Sequence, residues 1–373
     1  MLRVGDVRLF SDEFGVYRYD REDRGYRGIM SPSRPYFADL GDEGVCVSLD
    51  WLLEHPKTLR ELSGMDVVFL WVYEDFLDFE APTSRMDAKT RYEKIVRPTA
   101  RSAAEIVDQI GARVLVMSQH GNFDESLRPY LADYLDGVCQ LLARPNVVGW
   151  IETMPRHVQF MRRILGKVVY LPLPHWPFSG EVVPLDLRSL RYRPPFRIYV
   201  ARPLGGEGYD DNGPLMHVVA KEIGNAVGGA QVVYSERRHD GLDDRMKALL
   251  GLRAHASRGW SSERDVATRV RELGASHLYI HLGWRGGRTA VTSEAAALGV
   301  PAIVSRHLPH RVLYPRTCVD PYEVEKAVRL GVRILVDEQF RRDVVCIARR
   351  RALRFCHPDG VRQLLSRILA RSS

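Results

Sequence analysis

The stretch HLYIHLGWRGGRTAVTSEAAALGVPAIVS, residues 277–305, gathers the side chains best suited to hold an anion. An apolar run (277–282) enters a loop carrying Gly283, Gly286 and Gly287, and an alanine-rich helical period follows. Glycine lets a backbone approach a ligand closely and take φ values that other residues avoid. Amides exposed at the next helix N-terminus, helped by the helix dipole, attract negative charge. Arg285 and Arg288 flank the glycines, and their forked donors match the oxygens of a diphosphate. Glu294 falls in the first turn of the expected helix, within reach of ligand hydroxyls such as those of a ribose. The same residues also fit a plain strand-turn-helix unit in which Glu294 merely offsets the helix dipole.

A second group lies in the first half. In RVLVMSQHGNF (113–123) an apolar run ends in a polar turn, which puts His120 at the carboxyl end of a strand. A loop histidine bonded to its neighbours reads the same way. Glu152, after the run 147–151, is a weaker candidate, and His175 and Trp176 read as packing residues. Other chemistries lack their motifs. There is no G-x-S-x-G elbow, no G-x-x-x-x-G-K-[ST] loop and no H-E-x-x-H. No G-x-G-x-x-G follows the first strand, which argues against a nicotinamide or flavin enzyme.

The elements that must position these residues follow from the apolar pattern. Strands are expected at 45–49, 66–72, 113–118, 147–151, 168–173, 196–201, 231–235, 277–282 and 301–305. Helical periods lie between them at 52–62, 90–110, 125–142, 156–165, 215–226, 243–250, 263–273 and 293–298. Short β-rich runs alternating with helices indicate βαβ units and a parallel sheet. Runs such as VVFLWV and VLVM alternate little, as strands covered by helices on both faces do. Residues 172–195 hold six of the chain's prolines and read as a linker between two Rossmann-like halves. The first 44 residues show no clear period and fit an irregular hairpin or a loop.

The chain's 373 residues suggest two domains or one large one. Its hydrophobic (45%) and charged (27%) fractions exclude a mostly disordered protein. No apolar stretch reaches membrane-span length, and the N-terminus has no apolar signal region, so an intracellular protein is expected. Five dispersed cysteines, with no C-x-x-C pair, read as reduced thiols. The net charge of +7 is carried largely by arginine. Arg341, Arg342, Arg349, Arg350 and Arg351 read as a solvated helix face, or as a surface that attracts an anionic partner.

The second half resembles the nucleotide-sugar domain of GT-B glycosyltransferases. In particular it is similar to the retaining family (glycosyltransferase group 1) that includes glycogen-synthase-like and mannosyltransferase enzymes. RIYVARPLGGEG (197–208) resembles that family's opening strand and Gly-Arg-Leu turn, and AQVVYS (230–235) its second strand. SEAAALGVPAIVS resembles its Glu-Ala-Met-Ala-x-Gly-x-Pro-Val-Val-x-Ser signature. The resemblance implies an α/β fold of GT-B type, with two facing Rossmann-like domains and a cleft between them. It implies domains at 1–184 and 185–356, with a helix at 357–373 crossing back to the first.

Carried over by position, Glu294 takes the glutamate that bonds the donor ribose, and Arg202 the arginine that faces the donor diphosphate. Gly286, Gly287, Arg288 and Thr289 form the loop that holds phosphate and sugar, with Arg285 beside it. His120 takes the histidine next to the transferred sugar. Two positions depart from the pattern. Gly286 stands where the family has the first glutamate of its Glu-x7-Glu pair, and the lysine that accompanies the arginine has no clear counterpart.

The function expected is therefore sugar transfer from a nucleotide-diphosphate sugar, UDP-sugar in type, without a metal or other cofactor. A glycan, a lipid-linked sugar or a nucleic acid is the acceptor, and an anionic membrane surface or nucleic acid is the partner the positive charge allows. A cytoplasmic enzyme, peripheral at the membrane if the acceptor is a lipid, fits this reading. The alternatives are a sugar-nucleotide epimerase of the same fold and a non-catalytic relative, which Gly286 favours.

Overall fold

A computed structural model describes residues 9–10, 18–20, 25–27, 46–47, 53, 56–64, 67–71, 97–117, 131–152, 157–171, 185, 192–201, 212–235, 248, 254–257, 270–283 and 290–371. By internal contacts the chain forms two compact units, Met1–Pro174 with Pro358–Ser373, and His175–His357.

The first unit is built on a parallel sheet in the order β1-β5-β6-β7-β8. Its strands are β1 (Leu9–Phe10), β5 (Val67–Trp71), β6 (Arg113–Met117), β7 (Val147–Glu152) and β8 (Val168–Tyr170). Helices α1 (Pro56–Leu62), α2 (Arg97–Gln109), α3 (Leu131–Leu142) and α4 (His157–Leu165) supply the intervening layers. Val68, Leu70, Val114 and Val116 are fully buried, as strands covered on both faces require. Asn146 Nδ2 donates to the carbonyls of Val107 (3.0 Å) and Ile110 (2.9 Å), closing the C-terminal end of α2.

The expected strand at 45–49 does not join this sheet. It is β4 (Cys46–Val47), antiparallel to β3 (Gly25–Arg27), which pairs with β2 (Arg18–Asp20) in a separate hairpin sheet. The apolar run gave the strand but carried no information on its partner.

The second unit is a six-stranded parallel sheet in the order β11-β10-β9-β12-β13-β14. These are β9 (Phe196–Val200), β10 (Ala230–Ser235), β11 (Ala254–Ser257), β12 (Leu278–His281), β13 (Ala302–Ser305) and β14 (Cys318–Val319). Counted within the unit this is the doubly wound order 3-2-1-4-5-6, which reverses between β9 and β12. Helices α5 (Gly213–Ala226), α6 (Ala290–Leu298), α7 (Val324–Val336) and α8 (Glu338–Phe355) accompany it. Tyr199, Tyr234, Tyr279 and Tyr314 are its largest fully buried side chains, and Tyr314 Oη donates to Val300 O at 2.7 Å.

Two of those five arginines, all on α8, correct the reading of a solvated face, while Arg350 is exposed as that reading expects. Arg341 is 2% exposed and Arg349 is 7% exposed. Arg341 Nη1 donates to Ile334 O (2.7 Å) and Leu335 O (3.0 Å), the carbonyls that α7 leaves open at its end. Its guanidinium also lies over the Tyr192 ring at 4.2 Å.

The final helix, α9 (Pro358–Arg371), belongs to the first unit, where Arg113 Nη1 donates to Leu369 O at 3.3 Å. Among the described residues no helix is long and apolar enough to cross a membrane.

Candidate functional site

In open α/β sheets ligands bind beyond the carboxyl ends of the strands, where the strand order reverses. Here that point lies between β9 and β12, whose residues Leu278 and Ile198 pair in register. Ala201 N donates to Ile280 O at 3.0 Å, so the two strand ends stay joined to the edge of the sheet. The chain leaving β9 returns at α5, and the chain leaving β12 passes through residues 283–289 into α6. Both helices therefore start from the loops at this one corner.

Asn212 marks the start of α5. It has φ 62° and ψ 28°, in the left-handed region, and its side chain makes no cap bond to its own helix. The second helical residue is Pro214, which has no amide to offer such a cap. Instead Asn212 Nδ2 donates to Leu282 O at 3.1 Å, across the switch point and just past the end of β12. The signal lay in the tripeptide Asn-Gly-Pro, an αL-tolerant residue followed by a helix-opening proline, where the periodicity placed the helix start two residues late.

β12 and α6 are tied together in the core. His281 Nδ1 lies 3.1 Å from Thr292 Oγ1, and both side chains are fully buried. Val291, Ser293, Ala295, Ala296 and Ala297 are buried as well, so α6 is covered all round. Gly299, with φ 76°, ends it: Val300 N reaches Ala295 O (2.8 Å) and Gly299 N reaches Ala296 O (3.3 Å). This is the doubly bonded glycine terminus that a left-handed residue after a helix permits.

Glu294 is the fifth residue of α6, because the helix begins three residues earlier than its periodicity suggests. No acidic residue occupies the first turn, which removes the reading of Glu294 as a simple dipole-offsetting carboxylate. It is 1% exposed. Glu152, at the last position of β7 in the other unit, is fully buried. His120, Arg202, Arg285, Gly286, Gly287, Arg288 and Thr289 lie outside the described residues, as do His175 and Trp176.

Beyond β13 and β14 the same edge of the sheet is lined by paired charges. Arg306 Nη2 lies 3.0 Å from Glu323 Oε2, and His307 Nε2 lies 3.3 Å from Asp320 Oδ2. Burial raises the Asp320 carboxyl, but bonds from Tyr322 N and His307 outweigh it and hold the group below its ordinary value. Among the described residues no three His, Cys, Asp or Glu side chains are grouped to hold a metal ion.

No family model and no curated protein matches the chain by sequence. Solved structures do match. The trehalose-6-phosphate protein of E. coli bound with UDP-2-fluoro glucose is 11% identical, with a TM-score of 0.55 over 86% of this chain and 78% of that one. Sucrose-phosphate synthase of Thermosynechococcus elongatus is 15% identical, with a TM-score of 0.56 over 88% of this chain and 84% of that one. Staphylococcus aureus TarM, in complex with UDP and alpha-GlcNAc-glycerol, is 9% identical with a TM-score of 0.50. The match covers 69% of this chain and about half, 51%, of TarM. At these identities the shared property is the fold, and it is the fold of GT-B glycosyltransferases.

Proposed function

We propose that the protein is a glycosyltransferase that moves a sugar from a nucleotide-diphosphate sugar to an acceptor hydroxyl. One observation carries this reading: the strand-order reversal between β9 and β12, with α5 and α6 both starting from the loops there, in a fold shared with a protein that binds UDP-2-fluoro glucose. On this reading Arg202, Arg285, Arg288 and the glycines Gly286 and Gly287 are the residues that supply donors to the diphosphate. Glu294 accepts from the ribose.

In the reaction the bond from the anomeric carbon to the diphosphate oxygen breaks, and a bond to the acceptor oxygen forms. The acceptor's proton leaves to a base or to the departing diphosphate. Negative charge grows on that diphosphate, and preorganised guanidinium and amide donors stabilise it more than the ground state. Three arginines and a helix terminus supply enough positive potential for the leaving group without a divalent ion.

Calorimetry with UDP, GDP and ADP tests the donor assignment. Replacing Glu294 by Ala is expected to weaken the preferred nucleotide by about 1.5–3 kcal/mol, the value of hydrogen bonds to a charged group. Glu294→Gln, which keeps the shape of the buried side chain, separates that loss from misfolding. Unchanged affinity in both variants removes Glu294 from the ribose.

The second reading is a binding protein without turnover, and Gly286 in place of a glutamate is what favours it. Hydrolysis of the donor by the purified protein excludes that reading. Release of the sugar onto a glycan, a lipid-linked sugar or an oligonucleotide then identifies the acceptor class.

A further inference from the structure

We propose that the outer face of α4, around Phe160 and Arg163, is a contact site for an anionic membrane surface. The inference goes beyond the donor reading and stands whatever nucleotide the protein binds.

α4 turns Val158, Met161 and Leu165 inward, where it packs on β7, β8 and α3. At 3.6 residues per turn, Phe160 and Arg163 fall together on the opposite side, three residues apart. Both are exposed, Phe160 to 55%. A single exposed apolar side chain is ordinary, and its surroundings decide what it can do. Two other large apolar side chains are exposed among the described residues, Tyr322 and Val336, and both stand among charges of both signs. Tyr322 lies between Asp320, which faces His307, and Glu323, which faces Arg306. Val336 adjoins Asp337, which faces Arg333.

Around Phe160 the charge has one sign. HVQFMRRILGK (157–167) holds Arg162, Arg163 and Lys167 and no Asp or Glu. Arg162 Nε donates to Val168 O at 3.2 Å, and Lys167 Nζ to Val147 O at 3.1 Å and Arg144 O at 3.2 Å. These are carbonyls, which leave the positive charge in place. Arg163 has no partner among the described residues.

An anionic bilayer offers what this face lacks, phosphate headgroups for the cations and hydrocarbon for the ring about 5–10 Å deeper. A nucleic-acid duplex supplies the phosphates but no apolar surface. A second copy would bring the same cations against each other across a two-fold axis. One ring and three cations make a weak, reversible contact, screened by salt.

Sedimentation of the full chain with vesicles tests this, using phosphatidylcholine alone and phosphatidylcholine mixed with phosphatidylglycerol. Binding to the mixed vesicles only, released as salt is raised, is expected. Phe160→Ser is expected to weaken it about tenfold, the value of one aromatic side chain withdrawn from water. Arg163→Gln is expected to weaken it about fivefold, as one cation near an anionic bilayer contributes. Arg329→Gln, which removes an exposed charge of α7 in the other unit, leaves it unchanged. All three side chains are exposed, so the thermal midpoints stay together. Equal losses in Arg163→Gln and Arg329→Gln reduce the effect to net charge and overturn the site. No binding to mixed vesicles, or binding that Phe160→Ser leaves intact, overturns it as well. Capture of a single-stranded oligonucleotide that needs Phe160, without vesicle binding, gives the face to nucleic acid. A dimer that Phe160→Ser dissolves, again without vesicle binding, gives it to a second copy; either result refutes the membrane contact.

Discussion

His277 sits at the amino end of β12 and is required neutral. Its Nδ1 accepts from Arg197 N at 2.9 Å, and its ring meets Tyr192 edge-on at 4.6 Å. Burial lowers its pKa first, and the charges of Arg341 and Arg197 lower it further from the ordinary 6.5. Above 6.5 the histidine is neutral folded and unfolded, and its contribution is complete. Below 6.5 the unfolded chain takes up a proton that the folded chain resists, so stability falls as the pH drops toward the folded pKa. Urea midpoints between about pH 5 and pH 7 are therefore expected to rise with pH, and His277→Asn to flatten that slope; an equal slope in the variant refutes the assignment. At this scale the sequence was readable where a residue type has one use and misleading where it has two. Glu294 stands out by its motif, but its depth does not show in the letters, because a nine-residue helix covered all round leaves no amphipathic period to fix its start. Arg341 was taken for surface, since an arginine stem that covers apolar ground and a head that closes a helix look alike in a string of letters. Asn212 carries no sign of its partner because strand order alone brings Leu282 O beside it, and His281 meets Thr292 only once β12 and the helix after it are packed together.

Elements with enough residues to carry a pattern were legible. FRIYV, LYIH and AIVS announced β9, β12 and β13 within a residue or so, because each is apolar on both faces. β11 (AHAS) and β14 (CV) were not legible, since alanine, serine and a two-residue run have no strand preference of their own. Neighbours decide them: Val232 pairs with Ala254 and Val304 with Cys318. α7 and α8 form one basic stretch whose break is set by Asp337, which ends the first helix and caps the second through Phe340 N at 2.9 Å. That amide bond first, and then Arg333, hold the Asp337 carboxyl below its ordinary value. The end of α6 was legible, because Gly299 before Pro301 is a helix stop by composition. Its φ of 76° makes a prediction about the element that carries Glu294. A Cβ at 299 must adopt a left-handed backbone and also meets the Leu185 side chain. Gly299→Ala is expected to lower unfolding free energy by about 1–2 kcal/mol in chemical denaturation. The same variant in a Leu185→Ala background removes the crowding and leaves the backbone part; a neutral single variant disproves the strained terminus.

Across the whole molecule the excess of 54 basic over 47 acidic residues does not translate directly into a binding surface. Several of the arginines are matched at home: Arg144 with Asp108 at 2.6 Å, Arg316 with Asp343 at 2.7 Å, Arg342 with Glu338 at 2.7 Å. Such exposed pairs add little stability, about 0–1 kcal/mol each, but they cancel the local field that would attract a distant anion. Stability must come from apolar burial, and the chain's last helix shows how far apart in sequence that burial reaches. α9 buries Val361, Leu365 and Leu369 completely and takes a bond from Arg113 at the start of β6. Each such side chain is worth about 1.5–3 kcal/mol, so the helix contributes on the order of 5–9 kcal/mol before the entropy of ordering it is charged. A chain ending at His357 is thus expected to lose hydrogen-exchange protection at Val114, Leu115 and Val116 in β6 while Ile198, Ile280 and Ile303 of the second sheet keep theirs. The contrast follows from α9 belonging with residues 1–174 and not with 175–357. Uniform loss across both sheets, or protection undiminished in β6, contradicts that membership and makes the last helix an appendage of the unit that precedes it in the chain.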